Sequence, residues 1–99
     1  MKTLRHTLIT LLAAATGLPA LADDDYRHYD QNRDNYISHD KAADIAVQNV
    51  GSGRVVDVEF DRDWNGDHFE VEVIAADGRE HDITIDAKSG KVLSAKIDR

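Results

Sequence analysis

The chain has 99 residues, with nineteen acids against twelve bases, a net charge of −7, one proline and no cysteine. The lack of cysteine excludes a disulfide framework, so any fold must be held by core packing alone. The acid excess argues against nucleic acid or an anionic membrane surface as partner, and favours cations or basic proteins.

Residues 1–22 read as a secretory signal peptide. Lys2, Arg5 and His6 are followed by an apolar run at residues 7–15, a break at Gly17 and Pro19, and an A-x-A cleavage site at Ala20, Leu21 and Ala22. The apolar run is well short of the ~20 residues a membrane span needs. Cleavage before Asp23 leaves 77 residues with ten bases and nineteen acids, net −9, and points to the periplasm or the exterior. Residues 23–36 form a polar arm without helical or strand period, expected to be loosely docked. Tyr26 and Tyr29 are its apolar anchors.

Residues 37–99 form the folded domain. The spacing predicts a helix over 38–50, with Ser38 as N-cap, Asp40 in the first turn and Gly51 just past the end. Ala42, Ala43, Ile45, Ala46, Val47 and Val50 make its apolar arc. Two alternating runs then flank Asn65-Gly66, the sequence of a type I′ hairpin turn. Pairing outward from that turn sets Phe60 against Val71, Val58 against Val73 and Val56 against Ala75. On the other side it opposes Glu59 to Glu72 and Asp61 to Glu70. A loop at Ala76-Asp77-Gly78 brings Val71 to Ile83 and Phe69 to Ile85. A second, at Lys88-Ser89-Gly90, brings Ile85 to Leu93 and Ile83 to Ala95. All three hairpins put apolar residues on one side. The expected fold is α+β: one helix packed across a four-stranded antiparallel meander, with Lys91 and Lys96 guarding an edge strand.

Residues 37–46 (ISHDKAADIA) resemble the I-S-x-x-x-A-x-x-I-A opening of the PepSY domain. Phe69-Glu70-Val71-Glu72-Val73 is similar to its central strand, and Asp77-Gly78 and residues 86–92 (DAKSGKV) to its later turns. The likeness covers about residues 36–97. It implies a non-enzymatic module of the kind found in propeptides of thermolysin-like peptidases and in small exported proteins, often proposed to inhibit or chaperone a hydrolase.

Two stretches resemble calcium loops. In the first, Asp30, Asn32, Asp34 and Ser38 fall at ligand positions, but Asn35 stands where glycine is required and Lys41 where a bidentate carboxylate is required. The second runs from Asp61 and Asp63 through Asn65 and Gly66 to Glu72. Its flanks alternate with period two, which fits strands rather than helices. A looser cation site from Asp61, Asp63 and Asp67 is the remaining form of that reading. His28, His39, His68 and His81 show no metal-ligand spacing, and His81 ends the inward face of the third strand. There is no Gly-rich phosphate loop and no cysteine nucleophile, and Ser38, Ser52, Ser89 and Ser94 each have a turn, cap or strand reading, so no enzyme is expected.

The candidate partner surface is an acidic sheet face of Asp57, Glu59, Asp61, Glu70, Glu72 and Asp82. The expected function is an exported binding module that regulates an envelope peptidase or hydrolase. The alternatives are a calcium- or divalent-cation-responsive protein using the Asp30 arm, and a structural or sensory envelope protein.

Overall fold

The computed structural model describes residues 20–64 and 66–98, so most of the export-signal reading lies outside the described residues, as does Asn65. Helix α1 (Ala20–Gln31) and a 3-10 turn (Arg33–Asn35) lead into helix α2 (His39–Val50). Strands β1 (Gly53–Asp63), β2 (Gly66–Ala75), β3 (Glu80–Asp86) and β4 (Val92–Asp98) follow, and pair antiparallel in the order β1-β2-β3-β4. This is the expected meander with a helix across it. β4, with Lys96, forms one edge.

Ser38 caps α2, its Oγ accepting the Lys41 N–H at 3.0 Å. Gly51 ends the helix at φ +104°, donating its N–H to the Val47 carbonyl. Ala42 and Ala46 are fully buried and let the helix lie close to the sheet. Beneath it, Phe69, Val71, Val73, Ile83 and Ile85 are almost wholly buried. Each such side chain is worth roughly 1.5–3 kcal/mol of transfer free energy before the entropy of ordering it is subtracted.

The polar arm is helical, contrary to expectation. Asp24–Arg27 and Asp30–Arg33 are ion pairs at i,i+3 spacing, at 2.9 and 3.0 Å. Exposed pairs of this kind add little stability. What docks α1 is Tyr29, 4 % exposed. Its ring lies 5.1 Å from Phe60 and 5.9 Å from Phe69, and its hydroxyl donates to the Ile37 carbonyl. Tyr29, one of the two anchors the sequence offers, supplies the tertiary contact that orders an otherwise polar helix.

The β1–β2 register differs by two residues from the expected one. Asp63 pairs with Gly66, so the reversal falls between them, and Phe60 faces Phe69 while Val58 faces Val71. The shift keeps every side chain on its face and joins Phe60 and Phe69 in an edge-on pair, 5.5 Å between centroids. A bulge at Val56 then turns Val55, not Val56, toward Val73 and the core. The β2–β3 pairs are as expected, Val71 with Ile83 and Phe69 with Ile85. Gly78 takes the left-handed conformation its loop needs, at φ +86°. Between β3 and β4, Ile83 pairs with Ala95 as expected. A bulge then opposes Ile85 to Val92, leaving Leu93 55 % exposed.

The turn after β3 is where the strands receive the N-terminal segment. Asp86 Oδ2 accepts from the Lys88 and Ser89 amides and the Ser89 hydroxyl, at 3.1, 2.7 and 2.9 Å. Buried Ala87, held in that turn, accepts the Ile37 N–H and donates to the Asp67 carbonyl.

Candidate functional site

Antiparallel pairing lays the outward side chains of the sheet in rows. One row runs Asp57, Glu72, Asp82, Lys96 across all four strands, and the next runs Glu59, Glu70, Thr84, Ser94. These two rows line a concavity of about 460 Å³ on the face away from α2. Five of the six expected acids line it: Asp57, Glu59, Glu70, Glu72 and Asp82. Lys96 is the one base among its lining residues.

The register decides which acids oppose each other. Glu59 faces Glu70, not Glu72, and Asp57 faces Glu72. Burial pushes the Glu59 carboxyl above its ordinary range, and the charges of Asp57, Glu70 and Asp61 push it further. Asp61 faces His68 instead of Glu70, and so belongs to a third row with Asp86 beyond it. His68 is 7 % exposed. Its Nε2 stands 3.1 Å from Glu70 Oε2 and 3.7 Å from Asp61 Oδ2, and its Nδ1 stands 3.4 Å from the Gly66 carbonyl. Burial pushes this imidazole down. Glu70, the Gly66 carbonyl, Asp63 and Asp61 together outweigh that and hold its pKa above the usual value. By spacing alone His68 is one of four scattered histidines. The i,i+2 pair His68-Glu70 was a signal for it, but Asp61 joins only when the register is known. Glu72, Glu80 and Asp82 also bring carboxylate oxygens within 4.8 Å of one another.

The residues of the first calcium-like stretch are engaged elsewhere. Asp30 sits in α1 and pairs with Arg33, and the Asn32 amide donates to the His28 carbonyl. Asp34 lies in the 3-10 turn and Ser38 caps α2. A helix, a tight turn and a second helix occupy the span an open ligand loop would need. In the second calcium-like stretch, Asp61, Asp63 and Glu72 lie on paired strands, as its alternating flanks suggest. Asp67, paired with Arg62 one residue out of phase with Asp61, points to the opposite side of the sheet. There it accepts from the Tyr36 hydroxyl and from Arg62 Nε. Burial and that bond push the Tyr36 hydroxyl up to about 12. Of the other histidines, His28 meets the Tyr36 hydroxyl at 2.9 Å, and His39 packs edge-on against Tyr29 and Phe69.

A family model described as "Peptidase propeptide and YPEB domain", PepSY, matches residues 36–96. The chain belongs to the PepSY family. No curated protein and no solved structure matches it. PepSY domains are propeptide and inhibitory modules rather than catalytic ones, and the class is a regulatory one that meets peptidases. The match begins at Tyr36, so α1 lies outside the PepSY segment. It ends at Lys96, and between these limits lie the Ser38 cap, the β2 strand and the Asp86 turn. Among the described residues no helix is long and apolar enough to cross a membrane.

Proposed function

We propose that the protein is an exported, non-enzymatic PepSY module that binds and regulates an envelope peptidase or hydrolase. Its docking surface is the acidic outer face of the sheet. The observation that supports this best is the concavity lined by Asp57, Glu59, Glu70, Glu72 and Asp82 against a single lysine. A face of one sign with concave walls concentrates its field and draws a basic surface. A small domain without disulfides is expected to have little stability to spare, yet this one holds like charges directly opposite each other at Glu59/Glu70 and Asp57/Glu72. A partner's bases lying across those pairs relieve the repulsion. Trp64, 91 % exposed at the tip of the β1–β2 hairpin, adds an exposed aromatic anchor.

The test is capture from a periplasmic extract on the immobilised protein, followed by assay of the captured hydrolase with and without the free module. The expected result is a basic hydrolase that the module inhibits and that Glu59→Gln/Glu72→Gln releases at lower salt. Capture that is unchanged in the double variant removes the acidic face from the interface.

A further inference from the structure

The third row of the outer face differs from the other two in holding a buried imidazole. His68 faces acceptors on both sides of its ring: the Gly66 carbonyl 3.4 Å from Nδ1, and carboxylate oxygens of Glu70 and Asp61 3.1 and 3.7 Å from Nε2. A neutral imidazole carries one N–H. The carbonyl can only accept, so an N–H belongs on Nδ1, and Nε2 then meets two oxygens that also only accept, a place filled either by a second proton, as an imidazolium donating to Glu70, or by a metal ion that takes that proton's place. Something positive must stand between them. From this geometry we infer that Asp61, His68 and Glu70 bind one divalent transition-metal ion of the Zn²⁺ type on the outer face of the sheet.

The distances support a metal of this size. Zinc bonds of roughly 2.0–2.2 Å set tetrahedral ligand atoms about 3.3–3.6 Å apart. The observed separations from Nε2, 3.1 and 3.7 Å, bracket that range, and the three ligand atoms all lie within 4.8 Å of one another. The Gly66 carbonyl behind Nδ1 is the outer contact that orients a metal-binding histidine and keeps Nε2 free for the ion. The ligands stand on paired residues of two strands, Asp61 opposite His68 with Glu70 two residues on, so the backbone holds them in place. One nitrogen and two carboxylates suit zinc; calcium calls for six to eight oxygens. With the carboxylates half exposed, the remaining coordination positions open to solvent.

The test is titration of the tag-free protein with ZnCl₂ by calorimetry, alongside nitrogen NMR of the histidine rings. One Zn²⁺ per chain is expected, with the His68 Nε2 resonance moving and those of His28, His39 and His81 unmoved. Asp61→Asn and Glu70→Gln alter exposed side chains and should each weaken binding about 10-fold or more. His68→Gln should abolish it, and circular dichroism checks that this variant still folds. Absence of heat at millimolar Zn²⁺, binding undiminished in both carboxylate variants, or equal affinity for Ca²⁺ would each overturn the assignment. The titration uses the isolated chain, so it is decided independently of whether any hydrolase docks.

Discussion

Three single residues carry more than their neighbours. Trp64 is nearly free of the body of the protein, so Trp64→Ala should leave stability within about ±0.5 kcal/mol. If it anchors a partner, the same change should weaken capture by about 2 kcal/mol, some 30-fold; unaltered capture would remove it from the interface. Gly53 starts β1, where a Cβ would stand 2.6 Å from the Ile74 carbonyl oxygen, a backbone atom that cannot swing aside. Gly53→Ala should therefore cost about 1–3 kcal/mol, read from the urea midpoint. Asp86 closes the β3–β4 turn. The Ser89 amide, against the effect of burial, and then the Ser89 hydroxyl and the Lys88 amide hold its carboxyl below the usual range. A carboxyl whose pKa is lower folded than unfolded stabilises the fold above the unfolded value, and that stability is lost as pH falls through the folded one. Asp86→Ala should cost about 1–2 kcal/mol at pH 7, and the deficit should shrink below about pH 4, as urea melts at the two pH values will measure.

At the level of elements, what could be read in advance followed local chemistry. Ser38 and Gly51 bound α2 because a cap and a left-handed glycine act within one turn of chain. The Asp77-Gly78 loop gives the β2–β3 register the sequence suggests, although a two-residue slip would also keep the faces. The β1–β2 register did not follow, since a two-residue slip preserves both faces and only the packing of Phe60 on Phe69 and Tyr29 separates the alternatives. The bulges at Val56 and between Thr84 and Ile85 have no sequence signature. The acidic face was legible because faces survive slips, whereas the Asp61–His68–Glu70 group was not, because it depends on one pairing. Helix α1 has no apolar period to announce it; the Tyr29 anchor is legible in the sequence, but the helix that its packing orders is not. Tyr29→Ala should accordingly cost about 3–5 kcal/mol, far more than the exposed Asp24–Arg27 pair contributes. Hydrogen exchange should show α1 amides opening first in that variant while β2 and β3 stay protected.

Across the whole molecule, the charges of the acidic face weaken the free protein, and under the proposed function the same charges prepare it for a partner. Glu59 has Asp57 and Asp61 along its own strand and Glu70 opposite. Burial and then those charges raise its pKa, so the folded state holds this proton more tightly than the unfolded chain. Its favourable contribution is present below the unfolded value and is lost as pH rises through the folded one. At neutral pH the ionised carboxyl works against the fold. Glu59→Gln should therefore stabilise the free protein by about 0.2–1 kcal/mol at pH 7 in low salt. The gain should fade in 1 M salt, where screening shortens to about 3 Å, and vanish below about pH 4, where the carboxyl is neutral in both forms. The same variant should bind a basic hydrolase less tightly, with a shallower dependence on salt. Stability and affinity must move in opposite directions if the face is held for docking. A Glu59→Gln protein no more stable than its parent, or one that binds the hydrolase as tightly, would mean that the opposed acids are merely solvated.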